Sequence, residues 1–140
     1  MVGPARSRET FTFTPAQGVP PAVGPLSHVT RWGSMLFVTG QMPTRPETGE
    51  LVTGGLLAQA EQVRANLVAC LAPFGATLDD ALMVRVYLTD FGGFAAFNEL
   101  YRTWFAGPLP SRTCVGTTAL AVGAEVEIDL VVGLPEGPTR

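Results

Sequence analysis

Between Ala124 and Val132 the chain alternates: Ala124, Val126, Ile128, Leu130 and Val132 are apolar, and Glu125, Glu127 and Asp129 fall between them. Period-two alternation sends successive side chains to opposite faces, so this stretch predicts a half-buried strand with carboxylates on its second face. The run before it sends Arg112, Cys114 and Gly116 to one side and Thr113, Val115 and Thr117 to the other. Pro108 and Pro110 fix the chain's approach, which makes Arg112 an odd place for an ordinary surface charge. If the two runs formed a simple hairpin about Ala121, Glu127 would oppose Val115. A direct Arg112–Glu127 contact therefore does not follow from spacing.

The rest of the chain supplies partners for these strands. Residues 1–8 read as a loose tail, Glu9–Thr14 alternates as a strand, and 15–25, with four prolines and two glycines, reads as an extended loop. Ser27–Trp32 and Met35–Thr39 predict a hairpin through Gly33–Ser34. From Leu56 the period changes. Leu56, Ala60, Val63, Leu67, Leu71 and Phe74 form the stripe of an amphipathic helix, with Gln59, Glu61, Gln62, Arg64 and Asn66 on its other side and Pro73 and Gly75 ending it. Thr77–Thr89 opens as a turn and becomes a strand with Leu82, Val84, Val86 and Leu88 toward the core. Asp90 is placed to cap a second helix striped by Phe94, Phe97, Tyr101, Trp104 and Phe105, which Gly107-Pro108 stops. The order β-β-β-α-β-α-β-β predicts one α+β domain over 1–140, two helices on a sheet of six strands.

Composition excludes several chemistries. At 140 residues the chain buries about 70% of the surface its unfolded form exposes. It is 46% hydrophobic and only 15% charged, which leans toward buried subunit interfaces. All nine basic residues are arginine, so Schiff-base and P-loop mechanisms are excluded. His28 is the only histidine, and Cys70 and Cys114 are far apart, so no metal-ligand cluster or Ser–His–Asp arrangement is readable. The expectations are no cofactor, no metal and free thiols in a reducing compartment. A net charge of −3 gives no footprint for nucleic acid. No apolar run reaches the ~18 residues of a membrane span, and Arg6 and Arg8 precede no apolar stretch, so the expected location is cytoplasmic.

Individual residues carry competing roles. Arg112 is either a structural ion-pair partner of Glu127 or Asp129, or an anchor whose planar donor fork grips a ligand carboxylate. Glu127 is either solvated surface, like Glu125 and Asp129, or a carboxylate tuned by burial. Asn98 interrupts an aromatic stripe and needs a partner. Cys114 reads as a small packing residue, His28 and Cys70 as structural, and the aromatic stripe as core.

The segment PSRTCVGTTALAVGAEVEI resembles the C-terminal signature of the Rid (reactive intermediate deaminase, YjgF-like) family, and the similarity runs from about Ala22 onward. The resemblance implies a RidA-like, chorismate-mutase-like fold with a six-stranded mixed sheet, both helices on one face and a homotrimer with intersubunit sites. It implies a cofactor-free deaminase that hydrolyses 2-imino acids to 2-keto acids and ammonia. Arg112 would hold the substrate carboxylate and Glu127 the attacking water; Thr39 and Gly40 match the family's Ser/Thr-Gly step, and Asn98 its helix asparagine. Cys114, within the same strand motif, would contact the substrate as well. At Val23-Gly24-Pro25-Leu26 the chain departs: relatives commonly carry tyrosine beside the substrate where Leu26 stands, which implies a more apolar pocket. Two rivals remain open, a non-catalytic keto-acid-binding or regulatory protein on the same trimer and an RNA-cleaving protein, the latter opposed by the acidic balance and lack of a histidine pair.

Overall fold

In a computed structural model the described residues are 7–135; the tail reading of the first six lies outside them. Eight elements appear in the expected order: β1 (Glu9–Phe11), β2 (Val29–Trp32), β3 (Met35–Gln41), α1 (Leu56–Leu71), β4 (Ala81–Leu88), α2 (Phe94–Arg102), β5 (Ser111–Gly116) and β6 (Val126–Gly133). They build one six-stranded sheet in the order β1-β2-β3-β6-β4-β5. Every pairing is antiparallel except β4–β5, which makes the sheet mixed.

The apolar row of β6, Val126, Ile128, Leu130 and Val132, is buried against α1 and the neighbouring strands, and Ala124 just before it is buried as well. Leu36 and Val38 of β3, Val84, Val86 and Leu88 of β4, and Val63 and Leu67 of α1 complete that core. Gly33, with φ at +62°, makes the two-residue β2–β3 turn possible, since an L side chain rarely adopts that conformation.

Three expectations are corrected. β5 and β6 are not hairpin partners: β4 lies between them, and residues 117–125 carry the chain across it. Leu82 is 50% exposed, because a register shift between Ala81 and Met83 turns it outward and puts Ala81 in the core position. Gln59 and Asn66 are buried despite lying on the polar side of α1. Their amides bind backbone: Asn66 Nδ2 donates to the carbonyls of Met42 and Thr44, both at 3.0 Å, and Gln59 Nε2 to that of Val52 at 3.1 Å. Gln59 Oε1 accepts from Glu125 N–H at 2.8 Å. These bonds fasten the 42–52 loop onto the helix, a demand that helical periodicity does not encode.

His28 is structural, as expected. It is 2% exposed, its Nδ1 accepts from the Phe13 N–H at 2.8 Å, and its Nε2 donates to the Pro20 carbonyl at 3.1 Å. Burial lowers its pKa below 6.5, opposed by the Pro20 bond. The unfolded chain therefore binds the proton more readily, so this contribution to stability is complete above about pH 6.5 and is lost as pH falls below it. We expect His28→Ala to lower stability by about 2 kcal/mol at neutral pH, since it orphans a buried N–H and C=O. It should also flatten the fall in melting temperature between about pH 7.5 and 5.5; calorimetric scans of both proteins across that range check this.

Candidate functional site

On β5, Arg112 lies in one cross-strand row with Val84 and Leu130, both in the core, so it faces the helices. There its Nη2 donates to Asn98 Oδ1 at 2.8 Å. Its guanidinium carbon stands 4.8 Å from the Tyr101 ring centroid, 5.7 Å from Phe94 and 5.9 Å from Phe97. Asn98 and three rings of the α2 stripe thus enclose one cation. Among the described residues the one ion pair joins Arg85 to Asp129 at 2.8 Å, so Arg112 has no carboxylate partner. The structural-pair role is corrected: register sets Arg85 opposite Asp129, whose other oxygen accepts from Tyr87 O–H at 3.3 Å. Arg112, Asn98, Tyr101, Arg102, Leu109 and Pro110 line a hollow of about 230 Å³ that contains no acidic side chain. Cys114 is half-buried beside them, and burial pushes its thiol up more than Arg112 pulls it down. It stays a neutral thiol, a poor nucleophile.

Glu127 lies in a different row, with Tyr87 and Val115, on the sheet face away from the helices. β3 pairs Val38 with Leu130 and Gln41 with Ile128, so Thr39 and Gly40 together oppose Asp129 in a bulge. The bulge brings Gly40 against the Glu127 carboxylate so closely that any Cβ at position 40 would collide with it. Thr39, Gly40, Val23 and Leu26 border one small hollow of about 20 Å³. Thr39 and Gly40 also border a larger one of about 370 Å³ with Phe37, Arg85 and Asp129. Burial raises the pKa of Glu127, and the Asp129 charge raises it further.

The residues picked from sequence therefore form two groups. Arg112, Asn98 and Cys114 share the helix side; Leu26, Thr39, Gly40 and Glu127 gather on or beside the open face. A single chain does not bring Arg112 and Glu127 together. Sequence reasoning missed the cage of Phe94, Phe97 and Tyr101, although Phe94 and Tyr101 lie four before and three after Asn98, and Phe97 lies three after Phe94 and four before Tyr101, the spacings at which helical side chains meet.

A raised carboxyl pKa has a stability consequence. The contribution of Glu127 is fully present below its unfolded pKa and is lost as pH rises through the folded one, so the ionised form burdens the fold at neutral pH. We expect Glu127→Gln to melt no lower than wild type near pH 7. Carbon-detected NMR titration should place Glu127 above 4.5, and Asp129→Asn should lower it without fully restoring it. A Glu127 value at or below 4.5 would contradict the geometry.

Comparison with known proteins shows the family to which the chain belongs. The endoribonuclease L-PSP family model matches residues 17–133. The chain is 43% identical to RutC family protein y4sK of Sinorhizobium fredii over 115 residues, 82% of this chain and 91% of that one. It is 34% identical to the 2-iminobutanoate/2-iminopropanoate deaminase of Mus musculus over 112 residues, 80% of this chain and 83% of that one. The crystal structure of RidA from a Psychrobacter species superposes with a TM-score of 0.84 at 35% identity, covering 90% of this chain and 99% of that one. The chain belongs to the endoribonuclease L-PSP family, the group of the YjgF and RidA proteins.

Proposed function

We propose that this chain is a cofactor-free imine deaminase whose sites form between copies of itself in a homotrimer, one copy lending Arg112 and Asn98, its neighbour Glu127, Thr39, Gly40 and Leu26. The observation that carries the reading is the Arg112 guanidinium, without a carboxylate partner among the described residues and bonded to Asn98 beside a hollow lined by no acidic group, while Glu127 stands on the opposite sheet face. β5 is an edge strand, so its hollow is open to a neighbour. The open face presents Trp32, Phe37 and Val115, each between 41% and 47% exposed, as apolar surface for docking.

In this reading the Arg112 fork grips the carboxylate of a 2-imino acid. Water adds to the imine carbon and gives a proton to the Glu127 carboxylate, which passes it to the nitrogen, forming a carbinolamine. Glu127 then takes the carbinolamine's hydroxyl proton and delivers it to the nitrogen as the C–N bond breaks, releasing ammonia and leaving a 2-keto acid. A carboxyl whose pKa is raised toward the working pH suits both proton transfers. The endoribonuclease label of the family finds no support in the acid–base inventory. The one histidine is buried, with both ring nitrogens bonded to backbone.

The decisive experiment is complementation. Arg112→Ala and Glu127→Gln should each be inactive in ammonia release from a freshly generated 2-imino acid. Unfolded together and refolded, they should recover about a quarter of wild-type turnover, because about one interface in four then combines both intact halves. Light scattering should give three times 14.8 kDa for each protein. A mixed trimer without activity would exclude a shared site.

Leu26 favours a second reading, a keto-acid binder without turnover, since it is 41% exposed and offers no hydroxyl beside Thr39 and Gly40. As an enzyme, wild type should prefer imines derived from leucine or methionine over the smallest imine. Apolar wall contacts discriminate by about 1–3 kcal/mol per methylene. Leu26→Tyr should shift the kcat/KM ratio toward the small substrate. An unchanged ratio would place Leu26 outside the pocket, and binding of 2-keto acids without turnover in either protein would support the binder.

A further inference from the structure

We propose that Tyr101 is a positioning residue whose ring face holds the Arg112 guanidinium in the orientation that receives a ligand's carboxylate. The inference rests on Arg112 as the anchor and adds what aims it. Of the three rings around the cation, Tyr101 is nearest, at 4.8 Å against 5.7 and 5.9 Å. It is also clamped, touching Phe97, Trp104 and Phe105 at centroid distances of 5.8, 5.5 and 4.9 Å. Only 5% of Tyr101 is exposed.

The Tyr101 hydroxyl is buried and has no hydrogen-bond partner among the described residues. Burial pushes its pKa to about 12 despite the pull of Arg112, so it stays a neutral phenol. The hydroxyl therefore acts neither as an ion-pair partner of Arg112 nor as a tether for the helix. What Tyr101 offers the cation is its electron-rich face. Asn98 fixes the guanidinium in its own plane through Nη2, and Tyr101 fixes the tilt of that plane. With one of five N–H groups committed to Asn98, the others remain for a ligand. Holding the fork before the ligand arrives removes an ordering cost from binding.

The test varies the electronics of the ring without its shape. In the full-length protein, Tyr101 is replaced by phenylalanine and by its di- and trifluorinated analogues. Calorimetry then measures the affinity for 2-oxobutanoate, alongside melting temperature, oligomer mass and steady-state kinetics. Tyr101→Phe should bind within about twofold of wild type, and fluorination should weaken binding progressively, by about five- to thirtyfold in all, in line with the strength of a desolvated cation–π contact. KM should rise with it while kcat and oligomer mass hold. A flat series, or one that tightens, overturns the proposal. Arg112→Ala separates the two layers. If it binds the keto acid as wild type does, the anchor and the positioning role both fall. If it loses binding while the fluorinated series stays flat, only the role of Tyr101 falls.

Discussion

Strand β6 has neighbours on both sides, β3 and β4, and its alternation divides the molecule. Four apolar side chains on one face, all buried, hold both neighbours and α1 in one core. The pleat then leaves Glu127 and Asp129 no choice but the other face. A one-residue slip would expose the whole apolar row, so burial pins the register and, with it, the carboxylates. The row running from Glu127 through Tyr87 to Val115, and that from Leu130 through Val84 to Arg112, are consequences of this single registration.

The same division governs electrostatics. A guanidinium and a carboxylate on one face of adjacent strands would pair, as Arg85 and Asp129 do across β4 and β6. Arg112 is kept from that outcome by the thickness of the sheet. On its own side it meets an amide oxygen and three ring faces, groups that orient a cation without neutralising it. On the other side, Glu127 loses solvent to Gly40 and gains repulsion from Asp129, which together favour its protonated form. Each half holds a poised but incomplete set of groups, and that is why assembly carries so much of the proposed chemistry.

Precision in the second half depends on groups remote from it. Thr39 and Gly40 sit in a bulge, where a strand deforms easily, yet the chain on both sides is secured. Thr39 N–H bonds the His28 carbonyl at 3.0 Å, and the loop beyond Gln41 is fastened to α1 by Asn66. Buried polar groups with every bond made specify one arrangement in a way that apolar contacts alone do not.

Alternation and helical spacing by themselves determined the order of eight elements, the buried face of β6 and the core stripe of α1, because these depend on local periodicity; Arg112 and Glu127 were singled out by resemblance to a family motif, which spacing alone does not supply. Pairing lay beyond periodicity. Two alternating runs joined by a short glycine-containing link look like a hairpin, and only the packed sheet decided that β4 enters between them. Periodicity also misplaced Leu82, Gln59 and Asn66. A bulge resets the face of every residue before it, and a buried amide is set by distant carbonyls, neither of which leaves a trace in spacing. The aromatic stripe of α2 was legible as apolar, but that Tyr101 turns its face to Arg112 depends on how α2 crosses β5. Which face a residue occupies is a local property of the chain; which groups meet there is decided by tertiary packing, because that alone brings together residues distant in sequence.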